Sequence, residues 1–547
     1  MSFNLATAWE TTADHRGEAL ALHCGGVSRT WTEFETRAAR LAGAFARVGV
    51  GPGDNVALAL YNGNEYLEAE FAAFKVRAAP CNVNYRYVEA ELEYLVDNSD
   101  AKAVVFDVAL ADRFANVRDR LPDVQLWVQV GGDPAEVAPW AVVYDDLIAS
   151  SEPAARVDRS ADDLWILYTG GTTGHPKGVM WPHRSVVAVS ARVFAAAGAP
   201  VPESLADLPG IIDAIDANGS SPRQFAASPL MHGTAGIGAL MTLLAGGSVV
   251  TTPNRRLDVG DLWRTVESQH CTAVTIVGDV FCAPMVDELD RRRAAGDQVD
   301  LTSVRSVTSS GVMWSQPVKD RLLAHAKAQG SPLSCYDSLG SSEGVGFAAK
   351  QSDAGGTDTE TATFTLGPNA AVFTTDGRRV EPGSGEQGLL AVGGPIPLGY
   401  YGDPAKSAET FREIDGRRWS IPGDWATVAA DGTVTLLGRG SVSINTGGEK
   451  VYPEEIEEAL KLLDAVADAN VVGVPDPKWG SAVTAVVELA AGVDVSDTDL
   501  VDALRGRLSA YKLPKHVVRV DTLYRSPNGK ADYKWAVRTA RESLGIE

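Results

Sequence analysis

A run of glycine, threonine and lysine that continues an apolar segment is the feature that most constrains this chain. The run reads Leu167-Tyr-Thr-Gly-Gly-Thr-Thr-Gly-His-Pro-Lys-Gly-Val179, and residues 164–168 are strand-like. Glycine lets backbone N–H groups approach a polyanion closely, threonine hydroxyls add donors, and Lys177 adds a positive charge. These residues predict a phosphate-binding loop, and a flexible turn between a strand and a helix is the alternative.

The predicted loop differs from a Walker loop, in which Gly-Lys-Ser/Thr leads into a helix. Here Pro176 precedes Lys177, and Gly178 follows it. Proline also disfavours helical geometry for the residue before it, His175. The segment is therefore expected to remain a loop.

Length, composition and charge limit the classes of protein to which this chain can belong. The chain has 547 residues, of which 45% are hydrophobic and 22% are charged. A globular protein with two or more domains is expected, because one core does not extend over so long a chain. The net charge of −22 argues against nucleic acid and anionic membranes as partners. An anionic ligand would need a local basic pocket.

Cysteine usage and the lack of a targeting pattern predict a cytoplasmic protein. The N-terminus shows no basic segment followed by an apolar core. The longest apolar stretch, residues 235–247, falls short of the roughly 20 residues that a membrane-spanning helix needs. Scattered cysteines without metal-ligand spacing favour buried thiols in a reducing compartment. The cysteines are Cys24, Cys81, Cys271, Cys282 and Cys335.

Helix and strand patterns alternate along the chain. Thr32 and Glu35 have the spacing of a capping box, and apolar residues then recur at helical spacing as far as Phe45. A strand is predicted at 56–60 and a helix at 65–75. The alternation predicts an α/β protein with largely parallel sheets flanked by helices. Residues 200–222 and 351–363 are predicted to be polar surface loops.

A domain boundary is predicted near Gly438-Arg-Gly-Ser441, where a new compact pattern begins. Pro453 suits the first position of a helix, residues 471–474 and 482–489 are strand-like, and Ser496 suits the start of another helix. The predicted parts are a large N-terminal domain (1–439), a hinge (440–441) and a small α+β C-terminal domain (442–547).

Four further polar positions carry chemistry only if they act together. His232 precedes a small-residue run, Glu343 follows Gly-Ser-Ser, and Asp424 lies in a Pro-Gly-Asp-Trp turn. Lys530 ends a Pro-Asn-Gly-Lys turn. Singly, a core histidine, a loop carboxylate, an Asx turn and a hydrophilic turn explain them. The functional alternatives include an acid that binds Mg²⁺ and an aspartate that binds ribose hydroxyls.

Together, the motifs resemble those of the adenylate-forming superfamily, which includes acyl-CoA synthetases, nonribosomal adenylation domains and luciferases. The resemblance covers nearly the whole chain, with the motifs in the order of that superfamily. The motifs are the glycine-rich loop, Gly-Ser-Ser-Glu343, Gly-Asp-Trp425, Gly-Arg439, Gly-Gly-Glu-Lys-Val-Tyr-Pro453 and Gly-Lys530. Residues 168–174, 438–445 and 526–533 look most like actinobacterial ligases of bulky acids, including steroid side-chain ligases.

The resemblance implies a role for each matched residue. Lys530, Glu343 and His232 are the implied catalytic residues. Lys530 would reach the reacting carboxylate and the α-phosphate from a mobile C-terminal domain, and Glu343 would bind Mg²⁺. His232 would lie between the acyl tunnel and the adenylate. The residues implied to bind ATP or coenzyme A are Thr169, Gly170, Gly171, Thr172, Thr173, Gly174, Lys177, Ser310, Gly311, Ser338, Leu339, Gly340, Ser342, Asp424, Arg439, Gly447 and Gly448.

Several positions depart from the superfamily pattern. Leu339 stands where an aromatic residue usually packs on adenine, and Ser342 keeps only the hydroxyl of the usual threonine. Ser441 stands at the hinge position, which is usually Asp or Lys, while Asn445 and Lys534 replace a common lysine and a frequent arginine. A nucleotide-binding protein without catalytic activity therefore stays open as an alternative.

The implied reaction is an ATP-dependent acyl-CoA ligation in two halves. A carboxylic acid and ATP give acyl-AMP and pyrophosphate, and the thiol of CoA then gives acyl-CoA and AMP. Transfer of the acyl group to a carrier protein instead of free CoA is the main alternative, and a homodimer stays open.

Two further expectations concern the CoA phosphates and the size of the acid. Basic side chains could bind the phosphates, although each is as readily an ordinary surface charge. The glycines of 232–238 and 344–346 predict room for a bulky polycyclic acid, such as a steroid or diterpenoid, or for a long-chain acid. Close packing of small residues is the alternative. The basic candidates are Arg255, Arg256, Lys478 and Lys512.

Overall fold

The structure is a computed structural model of the chain. It describes residues 3–133, 136–169, 176–312, 314–353, 363–439, 442, 444–446, 449–476, 480–505, 508, 510–525 and 530–546. The helices in these ranges are α1 (Leu5–Arg16), α2 (Trp31–Arg47), α3 (Asn64–Lys75), α4 (Glu89–Asn98), α5 (Ala111–Val117), α6 (Tyr144–Ser150), α7 (His183–Val189), α8 (Ala191–Ala196), α9 (Leu208–Ala217), α10 (Gly233–Leu244), α11 (Val259–Ser268), α12 (Gly278–Ala294), α13 (Gln316–Ala328), α14 (Pro404–Thr410), α15 (Pro453–Lys461), α16 (Asp497–Leu504) and α17 (Tyr533–Leu544).

The strands in the same ranges are β1 (Leu20–Cys24), β2 (Val27–Thr30), β3 (Asn55–Ala59), β4 (Ala79–Asn82), β5 (Ala101–Asp107), β6 (Leu126–Val130), β7 (Val142–Val143), β8 (Leu164–Thr169), β9 (Lys177–Pro182), β10 (Arg223–Ala226), β11 (Ser248–Thr251), β12 (Ala273–Ile276), β13 (Ser306–Ser310), β14 (Ser334–Ser341), β15 (Gly344–Asp353), β16 (Thr363–Leu366), β17 (Ala370–Phe373), β18 (Gln387–Gly393), β19 (Phe411–Ile414), β20 (Arg417–Ser420), β21 (Asp424–Val428), β22 (Thr433–Arg439), β23 (Ile444–Thr446), β24 (Glu449–Val451), β25 (Val466–Asp476), β26 (Gly480–Leu489) and β27 (His516–Val520).

Two large sheets form the N-terminal part of the described chain. The first has the order β7-β6-β5-β3-β4-β8-β9 and is parallel except for the last pair, β8 and β9. The second runs β19-β20-β18-β21-β22-β16-β15-β14-β13-β12-β10-β11-β1-β2, with β17 beside β18. Its strands from β14 to β1 are parallel, and the antiparallel pairs lie at either end. The expected α/β fold is confirmed, with mixed rather than uniformly parallel sheets.

The C-terminal part is a small α+β unit with its own sheet and cores. The strands follow the order β24-β23-β26-β25, and β27 pairs with β26. Helix α15 begins at Pro453, and Ser496 caps α16 by accepting from the backbone N–H of Asp499, as the sequence predicts. Apolar residues of the helices and strands form separate buried clusters on the two faces of this sheet. The exact boundary at residues 440–441 stays a prediction.

The start of α2 corrects one sequence expectation. The capping box is formed by Thr30 and Glu33, whose side chains exchange hydrogen bonds with each other's backbone N–H groups at 3.2 and 2.8 Å. The spacing also fits Thr32 and Glu35, so the sequence alone could not choose between the two pairs. Starting the helix at Trp31 buries that indole completely, which favours the earlier start.

The segment 200–222 is not the loop that its composition predicts. It contains α9, whose residues Leu208, Ile211, Ile212 and Ile215 are buried. Their spacing is that of one helical face, but flanking proline and glycine residues obscured it. In the other predicted loop, residues 351–353 belong to β15 and Thr363 begins β16, while 354–362 lie outside the described residues.

Two expectations about compartment can be compared with the structure. All five cysteines are free thiols, and each except Cys24 is buried. Of the helices in the described ranges, none combines the length with the apolar composition that crossing a membrane requires.

Candidate active site

Several predicted site residues meet at the carboxyl edge of the second sheet. Strands β13 and β14 are parallel neighbours, with Ser310 opposite Ser338. Gly311 follows β13, Leu339 and Gly340 are in the last part of β14, and a Cβ placed on Gly340 would lie 3.8 Å from Oγ of Ser310. Ligands of open α/β sheets bind at this edge, because the strand ends leave a crevice there.

Lys530 of the C-terminal part reaches the same edge. Its Cε would lie 3.7 Å from a Cβ placed on Gly311. Gly311 has a φ of +87°, so its backbone conformation favours glycine here. The ammonium group of Lys530 is also close enough to His232 to affect its titration. Lys530 therefore lies beside a residue that precedes it by 219 positions in the chain.

His232 is a buried, neutral histidine at the start of α10. Burial, together with smaller contributions from the positive charges of Lys530 and Arg86, lowers the pKa of His232 to about 3. Its Nε2 atom is buried and finds no hydrogen-bond partner among the described residues. A buried polar atom without a partner is unusual in a folded protein. This atom is therefore available to a ligand at the edge of the sheet.

Lys177 lies in a half-exposed cluster with Asp403, Tyr400 and Glu343. Its Nζ is 2.7 Å from Oδ2 of Asp403 and 5.6 Å from the centroid of the Tyr400 ring. The hydroxyl of Tyr400 donates to Oε1 of Glu343 at 2.9 Å. The bond from Lys177 holds the pKa of Asp403 below its usual range. Tyr400 thus bonds to the carboxylate of Glu343 through its hydroxyl, while its ring lies near the ammonium group of Lys177.

Backbone bonds of β9 position this cluster. Lys177 pairs with Thr169 across the β8–β9 hairpin, so the predicted loop joins two antiparallel strands. The backbone of β9 also bonds to residues 398–401, which brings Tyr400 beside Val179. Nε1 of Trp181 donates to the carbonyl of Ser342 at 2.9 Å, which ties the same strand to the turn that carries Glu343.

Asp424 and Arg439 are opposite each other at the ends of β21 and β22. A cavity of about 330 Å³ is lined by Tyr400 and by both neighbours of Asp424, namely Gly423 and Trp425. The predicted ribose-binding pair therefore lies close to the Tyr400 cluster. Five of the predicted loop residues, Gly170 to Gly174, lie outside the described residues, as do Gly447 and Gly448.

The glycines near the edge are packed against neighbours. A Cβ would lie 2.7 Å from the carbonyl oxygen of Leu230 at Gly236, and 2.7 Å from Nε2 of Gln224 at Gly238. At Gly344 it would lie 2.6 Å from Cγ1 of Val392. Close packing, rather than open volume, therefore explains these glycines, and the expectation of an acyl pocket at these three positions is wrong.

Two of the four basic candidates for CoA phosphates form ion pairs. Arg255 donates to Asp107 at 2.7 Å, and Lys512 contacts both carboxylate oxygens of Glu455 at 2.5 and 2.7 Å. Arg256 is exposed, and Lys478 lies outside the described residues. The ion pairs favour the surface-charge interpretation of Arg255 and Lys512.

Tyr400 and Asp403 are the site residues that the sequence analysis missed. Lys177 and Asp403 are 226 residues apart, and no spacing rule connects them. One local signal was present, because Asp403 followed by Pro404 is typical of a helix start, and Asp403 caps α14. That signal indicates a helix and says nothing about a site.

The site fits a nucleotide triphosphate with Mg²⁺. In the described ranges, no group of three or more His, Cys, Asp and Glu side chains could hold a metal alone. Mg²⁺ commonly binds one or two carboxylates together with the phosphates of the substrate. Glu343 would supply one carboxylate, and Lys177 would supply a cation for the phosphates.

Comparison with known families decides the class of this site. A family model described as AMP-binding enzyme matches residues 9–401, and a model of the AMP-binding enzyme C-terminal domain matches residues 455–530. The chain belongs to the AMP-binding enzyme family. The order of the two matches along this AMP-binding enzyme agrees with the large and small parts of its fold.

Curated relatives of this AMP-binding enzyme match over nearly the full length. A 3-oxocholest-4-en-26-oate–CoA ligase of Rhodococcus rhodochrous is 42% identical over 551 residues, which cover 98% of this chain and 96% of the relative. A medium/long-chain-fatty-acid–CoA/3-oxocholest-4-en-26-oate–CoA ligase of Mycobacterium marinum is 40% identical over 544 residues, with the same two coverages of 98% and 96%.

A solved structure supports the fold of this AMP-binding enzyme. The anthranilate CoA ligase AuaEII in complex with anthranoyl-AMP superposes with a TM-score of 0.82 at 21% identity. The match covers 99% of this chain and 98% of that one. At this level of identity the similarity establishes the shared fold.

Proposed function

We propose that this protein is an ATP-dependent acyl-CoA ligase. It would convert a carboxylic acid and ATP into acyl-AMP and pyrophosphate, and then use CoA to form acyl-CoA and AMP. The observation that carries the proposal is the approach of Lys530 to Gly311, beside His232, at the carboxyl edge of the second sheet. Support also comes from the names of the curated relatives, which are CoA ligases.

In the first half-reaction, the substrate carboxylate attacks the α-phosphorus of ATP, and pyrophosphate leaves. Lys530 would hold the carboxylate and the α-phosphate together, and Lys177 would bind the outgoing phosphates. Mg²⁺ at Glu343 supplies further positive charge when bound. Positioning and electrostatic stabilisation carry such phosphoryl chemistry, so a protein nucleophile is not needed. His232 stays neutral and can orient the acyl group without repelling the cation of Lys530.

In the second half-reaction, the thiol of CoA attacks the acyl carbonyl and expels AMP. Lys530 has no role in that step and would block the approach of the thiol. A rotation of the C-terminal domain at residues 440–441 would remove Lys530 and bring the Gly447–Gly448 segment to the site.

The proposed acid is a bulky polycyclic one, such as a steroid or diterpenoid acid, or a long-chain acid. The support is the wording of the relatives' names, which cite 3-oxocholest-4-en-26-oate and medium or long-chain fatty acids. ATP and CoA, together with free buried thiols, favour the cytoplasm as the compartment. The homodimer that the resemblance leaves open is testable by light scattering of the purified protein.

Exchange of labelled pyrophosphate into ATP tests the first half-reaction. The purified protein is incubated with ATP, Mg²⁺ and one acid at a time from fatty, aromatic, steroid and diterpenoid classes, without CoA. Exchange that depends on the acid is the expected result, and its absence with every acid would overturn the proposal.

Addition of CoA then tests the acceptor. Formation of acyl-CoA together with AMP supports ligation to free CoA. Accumulation of acyl-AMP with CoA, but turnover with a phosphopantetheinylated carrier protein, would decide for the carrier-protein alternative.

A further inference from the structure

Arg192, in the short helix α8, points at the strand that follows Glu343. A Cβ placed on Gly346 would lie 2.9 Å from Nη2 of Arg192, and Gly346 has a φ of +84°. Gly346 lies where the pairing of β14 with β15 shifts register, and its missing side chain leaves the space that the guanidinium occupies. This glycine differs from Gly236, Gly238 and Gly344, because its neighbour is a charge rather than packed protein.

The guanidinium of Arg192 has no partner within the described part of the chain. Neither a carboxylate nor a carbonyl oxygen of the described residues bonds to it. Surrounding protein lowers the pKa of Arg192, yet the residue remains exposed to water, as expected for a cation that lines a cleft.

Four arginines that are less exposed than Arg192 show one way in which a guanidinium is satisfied within the protein. Each forms hydrogen bonds with a carboxylate, because a desolvated guanidinium is costly unless its donors are satisfied. These arginines are Arg37, Arg159, Arg292 and Arg525. Arg418, whose pKa burial also lowers, donates to the carbonyl oxygens of Pro397 and Leu398. Arg192 is more exposed than Arg37, Arg159, Arg292 and Arg525, so water can satisfy its donors and the guanidinium stays available to a ligand.

The contact between Arg192 and Gly346 on β15 limits the distance of Arg192 from Glu343. Gly346 is three residues beyond Glu343, and a strand advances about 3.3 Å per residue. Gly346, which the guanidinium contacts, therefore lies at most on the order of 10 Å along the chain from Glu343, the carboxylate proposed to bind Mg²⁺. An acyl group whose carboxylate lies near Glu343 and Lys530 would carry its middle or far portion past this cation.

We propose that Arg192 is a specificity-determining residue that binds an oxygen acceptor on the body of the acyl group. A guanidinium offers donors and no acceptor, so the ligand must present a keto or carboxylate oxygen. This inference rests on the proposed function, since it takes the acyl group to lie beside β15. It predicts that oxo-substituted acids are preferred over unsubstituted acids of equal length.

The test compares acids that differ in one oxygen. Pyrophosphate exchange is measured with a saturated long-chain acid and with analogues that carry one keto group at successive positions. For the wild type, kcat/KM is expected to peak at one keto position, at about tenfold or more over the unsubstituted acid, as for a charged hydrogen bond. Equal values at every position would overturn the inference.

Variants of Arg192 then identify the residue responsible. In Arg192→Leu, the preference for the best keto acid is expected to disappear, while exchange with the unsubstituted acid is retained. Arg192→Lys keeps the charge and is expected to restore part of the preference. Arg184→Leu is the matched control, since Arg184 forms an ion pair with Asp162 outside the site, and it should leave the ratio unchanged.

The outcomes separate this inference from the proposed function. Exchange with the unsubstituted acid, combined with an unchanged keto preference in Arg192→Leu, would overturn the role of Arg192 alone. Lack of exchange with every acid would overturn the proposed function and this inference together. If Arg192→Leu fails to fold, Arg192→Gln and the positional series with the wild type still decide the question.

Discussion

At the scale of single residues, one cation and one neutral imidazole set the electrostatics of the candidate site. Lys530 is exposed, and its side chain lies beside Gly311. His232 is buried and remains uncharged at physiological pH. A charged imidazole at this position would repel the lysine that the first half-reaction needs. The low pKa of His232 therefore avoids repulsion between the imidazole and the ammonium group of Lys530.

Replacing Lys530 separates the two half-reactions. Lys530→Ala is expected to reduce acid-dependent pyrophosphate exchange by about a thousandfold, because a transition-state cation is lost. Formation of acyl-CoA from preformed acyl-AMP should change by less than about threefold, since that step does not use the lysine. Lys534→Ala, in the exposed part of α17, is the control. Equal loss of both half-reactions in Lys530→Ala would contradict the assigned role.

Tyr400 provides a second prediction at this scale. Its hydroxyl donates to Glu343, so Tyr400→Phe removes one orienting bond without removing the ring. We expect the apparent affinity for Mg·ATP to fall about threefold to tenfold, as for one lost charge-assisted hydrogen bond. Titration of exchange activity with Mg·ATP measures the effect. Tyr401→Phe, which loses a bond to Asp100 instead, should not alter this affinity, and a similar fall there would exclude a specific role for Tyr400.

Local sequence motifs allowed prediction of individual site residues, but not of the residues that contact them. Lys177, Glu343 and Asp424 were recognisable because glycine and hydroxyl residues surround each of them. Tyr400 and Arg192 were not, since their importance depends on strands and helices that the sequence separates widely. Contacts such as Tyr400 with Glu343 come from pairing of β9 with residues 398–401, which no short pattern encodes.

At the scale of elements, a buried polar network fixes both ends of the segment that leads to Lys530. Arg525 forms hydrogen bonds with both carboxylate oxygens of Asp468, and Arg525 also pairs with Ala531 through the backbone. On the other side, the hydroxyl of Tyr533 donates to buried Glu457 at 3.3 Å. Although burial raises the pKa of Asp468, the bonds to Arg525 and Lys461 leave it below the usual range.

Loosening this network is expected to affect the first half-reaction selectively. Arg525→Met removes the bidentate pair and should lower pyrophosphate exchange about tenfold, because Lys530 is held less firmly. The free energy of unfolding of the C-terminal part should fall by about 1–3 kcal/mol. Arg505→Met, which breaks an exposed pair with Asp502, should change neither quantity measurably. An equal loss in thioester formation from acyl-AMP would indicate a general structural defect instead.

The periodicity of apolar residues predicted the presence of helices and strands better than it predicted their first residues. The helix over Asn64–Lys75 and the strand over Leu164–Thr169 were expected almost to the residue. The start of α2 was misplaced because Thr-x-x-Glu fits twice, and α9 was missed because proline and glycine interrupt its neighbourhood. In both cases burial of large side chains decided the outcome, and burial depends on the tertiary fold.

At the scale of the whole molecule, the order of strands in the sheets could not be predicted from the sequence. The alternation of elements predicted an α/β fold. It could not predict that β1 would pair with β11, which is distant from it in the sequence.

Where the two parts meet, the carboxylate of Glu454 on α15 would lie 2.2 Å from a Cβ placed on Gly438, which has a φ of +113°. The positive φ therefore favours glycine at Gly438, two residues before the predicted hinge.

The N-terminal core also contains an acid that the proposed chemistry does not use. Glu70, on α3, is 2% exposed, and burial raises its pKa to about 8 despite a bond from Trp165. In the unfolded chain the pKa is near 4.5. The folded protein therefore holds one more proton than the unfolded chain between these values, so its stability falls as pH rises from about 4.5 to 8.

Replacement of Glu70 by its uncharged amide isolates this effect. Glu70→Gln should have nearly the wild-type midpoint of thermal unfolding at pH 5 and a higher midpoint at pH 8, by several degrees. His183, whose pKa burial lowers to about 3, gives the opposite dependence, with stability lost as pH falls below 6.5. His183 is present in both the wild type and Glu70→Gln, so its contribution cancels when their unfolding midpoints are compared. Glu68→Gln is the matched control on the same helix: Glu68 bonds to Arg37 and Tyr144, so its loss should destabilise the protein at both pH values. A difference between Glu70→Gln and wild type that does not grow with pH would mean that Glu70 is ionised in the folded protein.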